Sequence, residues 1–247
     1  MERNVSFETN HLSDIEVHLA WAQLEIFADN VEKIQVMAAG DENSVGDLRI
    51  GLKEGALVVE QPQYGLSLNL LDSRWLQLCV RVPASWNGNL RCNTISGLLS
   101  ARKLKGMELS LETVSGELRA LKLEADSLSL KTVSGDARGE ELKADKLSLR
   151  SVTGDLALDA LNVKQLKSTS ISGEQTYNMA DVFARVEINA VSGNVTLTTP
   201  LARINAALRS ISGKMLTDGV ELTDSADAPV IRITGISADL KLIGIKE

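Results

Sequence analysis

The stretch that decides the fold runs from Leu109 to Asp136 and reads LSLETVSGELRALKLEADSLSLKTVSGD. It contains two copies of a short motif, Thr-Val-Ser-Gly followed by an acidic residue, 19 residues apart. Related copies recur along the chain, and their glycines are spaced by 19, 19, 19, 19, 20 and 20 residues. The motif glycines are Gly97, Gly116, Gly135, Gly154, Gly173, Gly193 and Gly213, and a decayed eighth copy ends at Ala238. A period of this size, kept over so many copies, indicates a repeat architecture.

Apolar and polar residues alternate between the glycines. Leu109 and Leu128 stand seven residues before their glycines, and Leu111 and Leu130 stand five residues before them. Alternation with a period of two is typical of half-buried strands. One 19-residue unit cannot bury its apolar face alone, whereas stacked units place equivalent residues about 4.8 Å apart in continuous ladders. The sequence therefore predicts an all-β fold, a single-stranded parallel β-helix (β-solenoid) of about eight coils with repeats of 19–20 residues.

The motif glycine is predicted to be the structural turn at one corner of every coil. Glycine suits such a corner for one of two reasons: the backbone adopts a positive φ there, or a Cβ has no room. The serine before the glycine can hydrogen-bond the local backbone. The repeat thus predicts a column of glycines along one edge of the stack.

The two ends of the chain depart from the repeat. Residues 1–89 are predicted to form a β-rich leader, either irregular early coils or a small cap over the open end, continuous with the solenoid of residues 90–247. Alternating runs predict strands at 15–21, 48–52, 66–70 and 76–82. At the other end, the polar stretch Thr217 to Pro229 is predicted to loop out. The last coil, Val230 to Ile245, would then have a neighbouring coil on one side only.

The composition limits the class of protein. Of 247 residues, 44% are hydrophobic and only 3% aromatic, which suits a narrow aliphatic core. The net charge of −7 argues against nucleic acid as a partner. Cys79 and Cys92 are too few for a disulfide scaffold and are expected to be buried or half-buried thiols. Neither a signal peptide nor a run of about 18 apolar residues is present, so we expect a cytoplasmic chain without membrane insertion.

At family level, the repeats have a known counterpart. The strand-rich leader, the segment Val80-Arg81-Val82-Pro83 and the repeated T-V-S-G-[DE] units resemble the bacterial putative-adhesin family of unknown function. The copies at 113–117 and 132–136 match its motif closely, and the resemblance covers nearly the whole chain. It implies a β-solenoid and an association with the cell envelope, and it supplies no catalytic residues.

The search for catalytic and ligand-binding residues yields little. His11 and His18 are seven residues apart, so in an alternating strand they would face opposite sides, which disfavours a shared metal. No nucleophile elbow, phosphate-binding loop or dinucleotide fingerprint occurs. Neither a catalytic residue nor a cofactor is predicted. Trp21, Trp75 and Trp86 all lie in the first 90 residues, either as an aromatic sugar platform or as ordinary packing.

Four acids directly follow consecutive motif glycines, and we call Glu117, Asp136, Asp155 and Glu174 the acidic column. Stacked about 4.8 Å apart, these carboxylates repel one another unless neighbours or ions compensate. Arg119 and Arg138 are expected on the same face. One interpretation is a strip that binds a divalent cation or a glycan. The other is a solvated turn that resists edge-to-edge aggregation.

Two functions follow from these observations. The first is a non-catalytic structural or interaction protein that presents flat ladder surfaces to a protein or glycan partner. The second is a carbohydrate-binding or polysaccharide-cleaving β-helix protein that uses the acidic column. Long insertions between the coils near that column would favour the second function, and they are missing. Self-association through the solenoid ends is a third interpretation.

Overall fold

A computed structural model describes residues 1–10, 12–62 and 75–245, and it confirms the predicted all-β fold. Within these residues the chain forms 23 strands and one short helix. The strand predicted at 66–70 and the histidine His11 lie outside the described residues. Among the described residues, no helix has the length and apolar character needed to cross a membrane.

The leader contributes seven strands and the helix. In chain order these are β1 (Glu2–Phe7), β2 (Asp14–Trp21), β3 (Gln23–Asp29), β4 (Ile34–Gly40), α1 (Glu42–Gly46), β5 (Arg49–Lys53), β6 (Ala56–Glu60) and β7 (Leu76–Pro83). The strands predicted at 15–21, 48–52 and 76–82 correspond to β2, β5 and β7.

The repeats and the C-terminal segment form the remaining strands. They are β8 (Asn89–Ser96), β9 (Leu99–Arg102), β10 (Lys105–Ser115), β11 (Leu118–Leu121), β12 (Glu124–Thr132), β13 (Ala137–Glu140), β14 (Lys143–Thr153), β15 (Leu156–Ser172), β16 (Gln175–Met179), β17 (Arg185–Ser192), β18 (Val195–Thr199), β19 (Arg203–Arg209), β20 (Met215–Asp218), β21 (Glu221–Leu222), β22 (Val230–Ser237) and β23 (Leu240–Gly244).

Successive repeats place strands on two faces, and we call one passage through both faces a coil. Strand β15 is long enough to run across both faces by itself. On face 1, β10 pairs in parallel with β8 and β12, so Leu111 lies opposite Cys92 and Leu130. On face 2, β11 pairs in parallel with β9 and β13. The predicted inward leucines are buried in this register. Both cysteines are free; Cys92 is buried in the ladder and Cys79 is half-buried.

The glycine corner has no room for a side chain. A Cβ built on Gly116, Gly135 or Gly154 would lie 1.9, 2.1 or 2.3 Å from the carbonyl oxygen of the corner glycine in the neighbouring coil. Gly154 also has a φ of 123°, whereas the φ of Gly135 lies outside the left-handed region. Close approach of stacked backbones therefore requires glycine at every one of these corners, and backbone conformation adds to the requirement at some of them.

A second corner carries positive φ without glycine. Lys103, Lys122, Glu141 and Ala160 have φ values between 51° and 57°. Each precedes a leucine that is buried at the corner of its coil, such as Leu123 after Lys122. Burial of that leucine compensates for a backbone conformation that costs an L-residue about 1–2 kcal/mol. The repeat pattern gave no sign of this strain because ordinary residues occupy the positions.

The coils at the N-terminal end are not stacked in chain order. Strand β2 lies between β6 and β8 on face 1, and β3 lies between β7 and β9 on face 2, all in parallel. The coil at 14–29 is thus inserted between strands β6 and β7 on one side and strands β8 and β9 on the other. Strand pairing joins the leader to the repeats without a break at residue 89, because Ile15 of β2 lies opposite Leu90 of β8. Strands β1, β4 and β5 pair antiparallel and cover the outer edges.

The C-terminal end shows the same exchange, and here our expectation was wrong. Strand β22 lies between β17 and β19, and β23 lies between β18 and β20. The last coil in the sequence therefore has a neighbour on both sides. The coil at 203–218 lies beyond it, and the short strand β21 also pairs with the start of β19. Ile231 and Ile233 are fully buried in the inserted coil, whereas Ala206 and Leu208 are only partly buried. The more apolar coil takes the interior position, where burial stabilises it most.

One inward ladder is interrupted by polar residues. Tyr177 Oη donates to Ser168 Oγ at 2.8 Å, and Ser168 Oγ donates to Gln175 Oε1 at 2.8 Å. All three side chains are buried, and burial raises the pKa of the Tyr177 phenol above its ordinary value. The network satisfies most of the polar atoms that interrupt the leucine ladder.

Candidate binding surfaces

The acidic column lies at the glycine corner, and two of its carboxylates bond to the next coil. Asp136 Oδ1 accepts a hydrogen bond from the backbone N–H of Asp155 at 3.0 Å. Asp155 Oδ1 accepts the N–H of Glu174 in the same way at 2.8 Å. Asp239, which the sequence reasoning did not single out, accepts the N–H of Lys214 at 2.7 Å. An acid directly after the corner residue thus satisfies a backbone donor of the neighbouring corner.

Glu117 is engaged differently, by the two arginines that were expected beside the column. Its carboxylate lies 2.7 Å from the Arg119 guanidinium and 3.6 Å from that of Arg138. The hydrogen bond from Arg119 lowers the pKa of the Glu117 carboxyl. Arg138 also lies 3.7 Å from Asp136. Arginines therefore compensate the charge of the first two acids.

The described residues contain no group of three or more His, Cys, Asp or Glu side chains placed to hold a metal ion. His18 Nε2 lies 3.5 Å from Glu16 Oε2, and His18 Nδ1 lies 3.3 Å from Asn93 Nδ2. The proposed use of the acidic column as a cation or glycan strip stays a prediction.

A row of exposed aliphatic side chains runs beside the acidic column. It consists of the second residue of every motif copy, and we call it the aliphatic stripe: Ile95, Val114, Val133, Val152, Ile171, Val191, Ile236 and Ile211, in the order of the coils. These residues are between 39% and 84% exposed. The sequence reasoning missed the stripe. It could have been found in the sequence, because every motif copy has an aliphatic residue at a position that the alternation places on the outside of the strand.

The flanks of the stripe carry opposite charges. On face 1, Lys131 and Arg150 precede Val133 and Val152 by two residues and so share their side of the strand. Around the glycine corner lie Asp136 and Asp155. In these two central coils the apolar stripe therefore separates two basic residues from two acidic ones. In the next coil the basic position is taken by Glu112, which lies 3.7 Å from Lys131.

At the opposite end of face 1, the coils form a groove of about 590 Å³. Its floor consists of small residues at equivalent positions, Gly106, Ala125 and Ala144, and Trp86 lines one end. This column of small residues nine positions after the motif glycine is visible in the sequence and was also missed. The groove spans several coils of face 1.

The rims of the groove are charged with both signs. Glu124 lies 3.0 Å from Lys105 and 2.9 Å from Lys143, which belong to the coils on either side. On the other rim, Asp145 lies 2.6 Å from Lys164. An apolar floor between polar rims is the usual form of a binding cleft.

The three tryptophans occupy different environments. Trp86 is buried against the core, and Trp75 is exposed. Trp21 is half-buried and shares with Trp75 a depression of about 260 Å³ near Gly97. Trp86 therefore packs in the core, as one of the two interpretations expects, whereas Trp75 does not.

Solved structures share this fold. A "putative adhesin" from Parabacteroides merdae ATCC 43184 has a TM-score of 0.63 at 13% identity, covering 100% of this chain and 96% of that one. A second from Bacteroides fragilis NCTC 9343 has a TM-score of 0.57 at 11% identity, covering 98% and 96%. A "putative lipid binding protein" from Parabacteroides distasonis ATCC 8503 has 0.51 at 13% identity, covering 100% and 96%.

Among curated proteins, the sequence finds no significant match. The family comparison is decisive, because the Toastrack DUF4097 family model matches residues 12–229, which is most of the sequence. The matched region includes nearly all the coils and the acidic column. The chain therefore belongs to the Toastrack DUF4097 family.

Proposed function

We propose that this protein is a non-catalytic, adhesin-like interaction protein. In this proposal it is a parallel β-solenoid of 19–20-residue coils that holds an extended partner, a polypeptide or a glycan chain, along its outward ladders. The observation that carries the proposal is the groove floored by Gly106, Ala125 and Ala144. Equivalent side chains recur there at about 4.8 Å intervals, which suits a partner with its own repeating backbone.

The charged rims support a polar, extended partner. Glu124 is shared between Lys105 and Lys143, and these exposed ion pairs contribute little to stability. They can therefore exchange partners at small cost when a ligand presents hydrogen-bonding groups of either sign. The names of the two adhesin structures are consistent with a binding role, and envelope association is part of the proposal.

The alternative, a polysaccharide-binding or polysaccharide-cleaving protein that uses the acidic column, is weaker. Asp136 and Asp155 already accept backbone hydrogen bonds from the next coil. A glycosidase needs one carboxyl group free to donate a proton and a second free to attack or to activate water. Carboxylates that hold the corner together are poorly placed for either task.

The test is binding to a panel of immobilised peptidoglycan, capsular polysaccharides, mucin and matrix proteins. We expect wild type to bind at least one of them. The variant Asp126→Arg/Asp145→Arg, which fills the groove from exposed positions of its lining, should bind at least about tenfold more weakly, a loss of ~1.4 kcal/mol. Asp159→Arg makes the same kind of change at an exposed aspartate of face 2, outside the groove, and is the control.

Circular dichroism and melting curves of the three proteins check that each is folded. Binding that is equally strong in the groove-filled variant would overturn the proposal, and so would failure to bind any member of the panel. Release of soluble sugar from the polysaccharides by wild type would favour the enzymatic alternative instead.

A further inference from the structure

The aliphatic stripe is a large apolar patch for a monomer. Its eight residues together expose roughly 700 Å² with their backbone atoms included, which places their side-chain area near the upper end of the ~300–600 Å² of the largest apolar patch on a typical monomer. The surface is also continuous, because Val114, Val133 and Val152 occupy equivalent places in neighbouring coils.

The apolar character is specific to this column. Four residues earlier, in the same outward phase of face 1, stand Ser110, Ser129 and Ser148. Strand propensity alone favours β-branched residues at both places equally. The contrast between a serine column and a valine column on one face points to a surface that is covered in the assembled protein.

The charges on the two flanks indicate that a second copy of this chain covers the stripe. Suppose a second copy lies against the stripe, related by a twofold axis parallel to the direction of stacking. Each coil then faces the same coil of the second copy, and the acidic flank of one faces the basic flank of the other. Asp136 would meet Lys131 of the second copy, and Asp155 would meet its Arg150. In the coil of Val114, Glu112 would meet Glu117, whose charge Arg119 and Arg138 compensate. With the stacks antiparallel, acidic flanks would meet acidic flanks, which is unfavourable.

We propose that the aliphatic stripe is the interface of a homodimer in which two solenoids lie side by side with their coils level and in the same direction. Two stripes together would bury on the order of 1,400 Å², within the ~1,200–2,000 Å² of stable interfaces. The groove lies at the other end of face 1 and stays open in this dimer, so the proposal does not depend on the proposed function.

The first test is the mass in solution, by light scattering and sedimentation over a dilution series. We expect wild type to be a dimer, and Val133→Glu/Val152→Glu to be a monomer with at least about 100-fold weaker association. Val182→Glu introduces one glutamate at an exposed aliphatic residue outside the stripe, and it should remain dimeric, whereas Val133→Glu alone should already weaken association. Circular dichroism shows whether the variants are folded.

The second test is the orientation, by cross-linking single cysteines in a Cys79→Ser background. Packed sheets lie ~10 Å apart, so a short bismaleimide can join residues that face each other. In the proposed arrangement Val114→Cys and Val191→Cys each link to themselves. A mixture of the two should give no dimer that contains both, because their coils stand at different levels.

Three results would overturn the proposal. The first is a wild type that is monomeric at ~100 μM, a concentration at which a dimer with a low-micromolar dissociation constant would be mostly associated. The second is a variant with both stripe glutamates that is still a dimer. The third is efficient cross-linking of Val114→Cys to Val191→Cys. The last result would mean that the stacks are antiparallel. The two proposals can fail independently. A variant can lose binding in the groove and remain a dimer, and another can become a monomer and still bind in the groove.

Discussion

Replacing Gly135 by alanine should lower the free energy of unfolding by about 2–4 kcal/mol, because two stacked backbones meet at this residue. The added Cβ would lie 2.1 Å from the carbonyl oxygen of Gly116 and 2.9 Å from its carbonyl carbon. An ordinary contact to such atoms is longer by about 1 Å. Relief of the clash therefore requires the two coils to move apart at the corner.

The movement is opposed by the hydrogen bonds that hold the corner. Ser134 donates its N–H to Val114 at 2.7 Å, and Gly135 donates to Thr153 at 3.2 Å. Weakening one or two such bonds costs about 0.5–1.5 kcal/mol each. Overpacking of the rigid stack adds ~1–3 kcal/mol, and together these account for the expected loss.

Three further variants separate steric from conformational effects. Gly51→Ala meets no atom within 4 Å and should change stability by less than ~0.5 kcal/mol. Gly173→Ala combines a clash of 2.2 Å with a φ of 122° and should lose about 1–3 kcal/mol more than Gly135→Ala. Ala238 already accepts a Cβ at the equivalent corner, so Ala238→Gly should be within about 1 kcal/mol of wild type.

Urea titration followed by far-ultraviolet circular dichroism measures all four variants, with the midpoint and the slope reported separately. An unchanged slope shows that the same surface is exposed on unfolding. If Gly135→Ala were as stable as Gly51→Ala, the close approach of corner backbones would not explain the glycine column.

Other predictions use the same titration. Leu130→Ala removes a fully buried member of the ladder between Leu111 and Leu149 and should lose about 2–4 kcal/mol; a loss below ~1 kcal/mol would contradict its place in the core. Asp136→Ala should lose ~0.5–1.5 kcal/mol because the N–H of the next corner loses its acceptor, while Asp136→Asn keeps an oxygen there and should lose less; equal losses would argue against the acceptor role. Ala160→Gly should gain about 0.5–1 kcal/mol and melt at a higher temperature, since it relieves a φ of 51°; a lower melting temperature would refute the strain.

The interior of the stack could be predicted from local pattern. Alternation places Leu111 and Leu130 inward, and the motif places a corner at Gly116 and Gly135. Both rules hold because a strand has a fixed period of two and because identical coils stacked in register repeat the same environment. The acid after the glycine could likewise be placed at the corner, although its hydrogen bond to the next coil could not.

Several features of the candidate surfaces depend on how neighbouring coils lie against each other. The groove exists because Gly106, Ala125 and Ala144 stack beneath taller rims, and its depth appears only when the coils are assembled. The positive φ at Lys122 and Glu141 arises from the path of the chain around the second corner, where ordinary residues give no warning. The exposure of Val133 was readable from the alternation, but its charge environment required both flanks of the corner.

The sequence by itself determined the all-β class, the inward ladders and the glycine corners, because each depends on interactions within one repeat or between identical repeats. Only the tertiary structure decided the order of the coils at both ends. Strand β22 enters between β17 and β19, and β2 enters between β6 and β8. At each end, coils of similar pattern compete for the same interior position. Burial and hydrogen bonding between segments distant in sequence decide that competition, and no local pattern records its outcome.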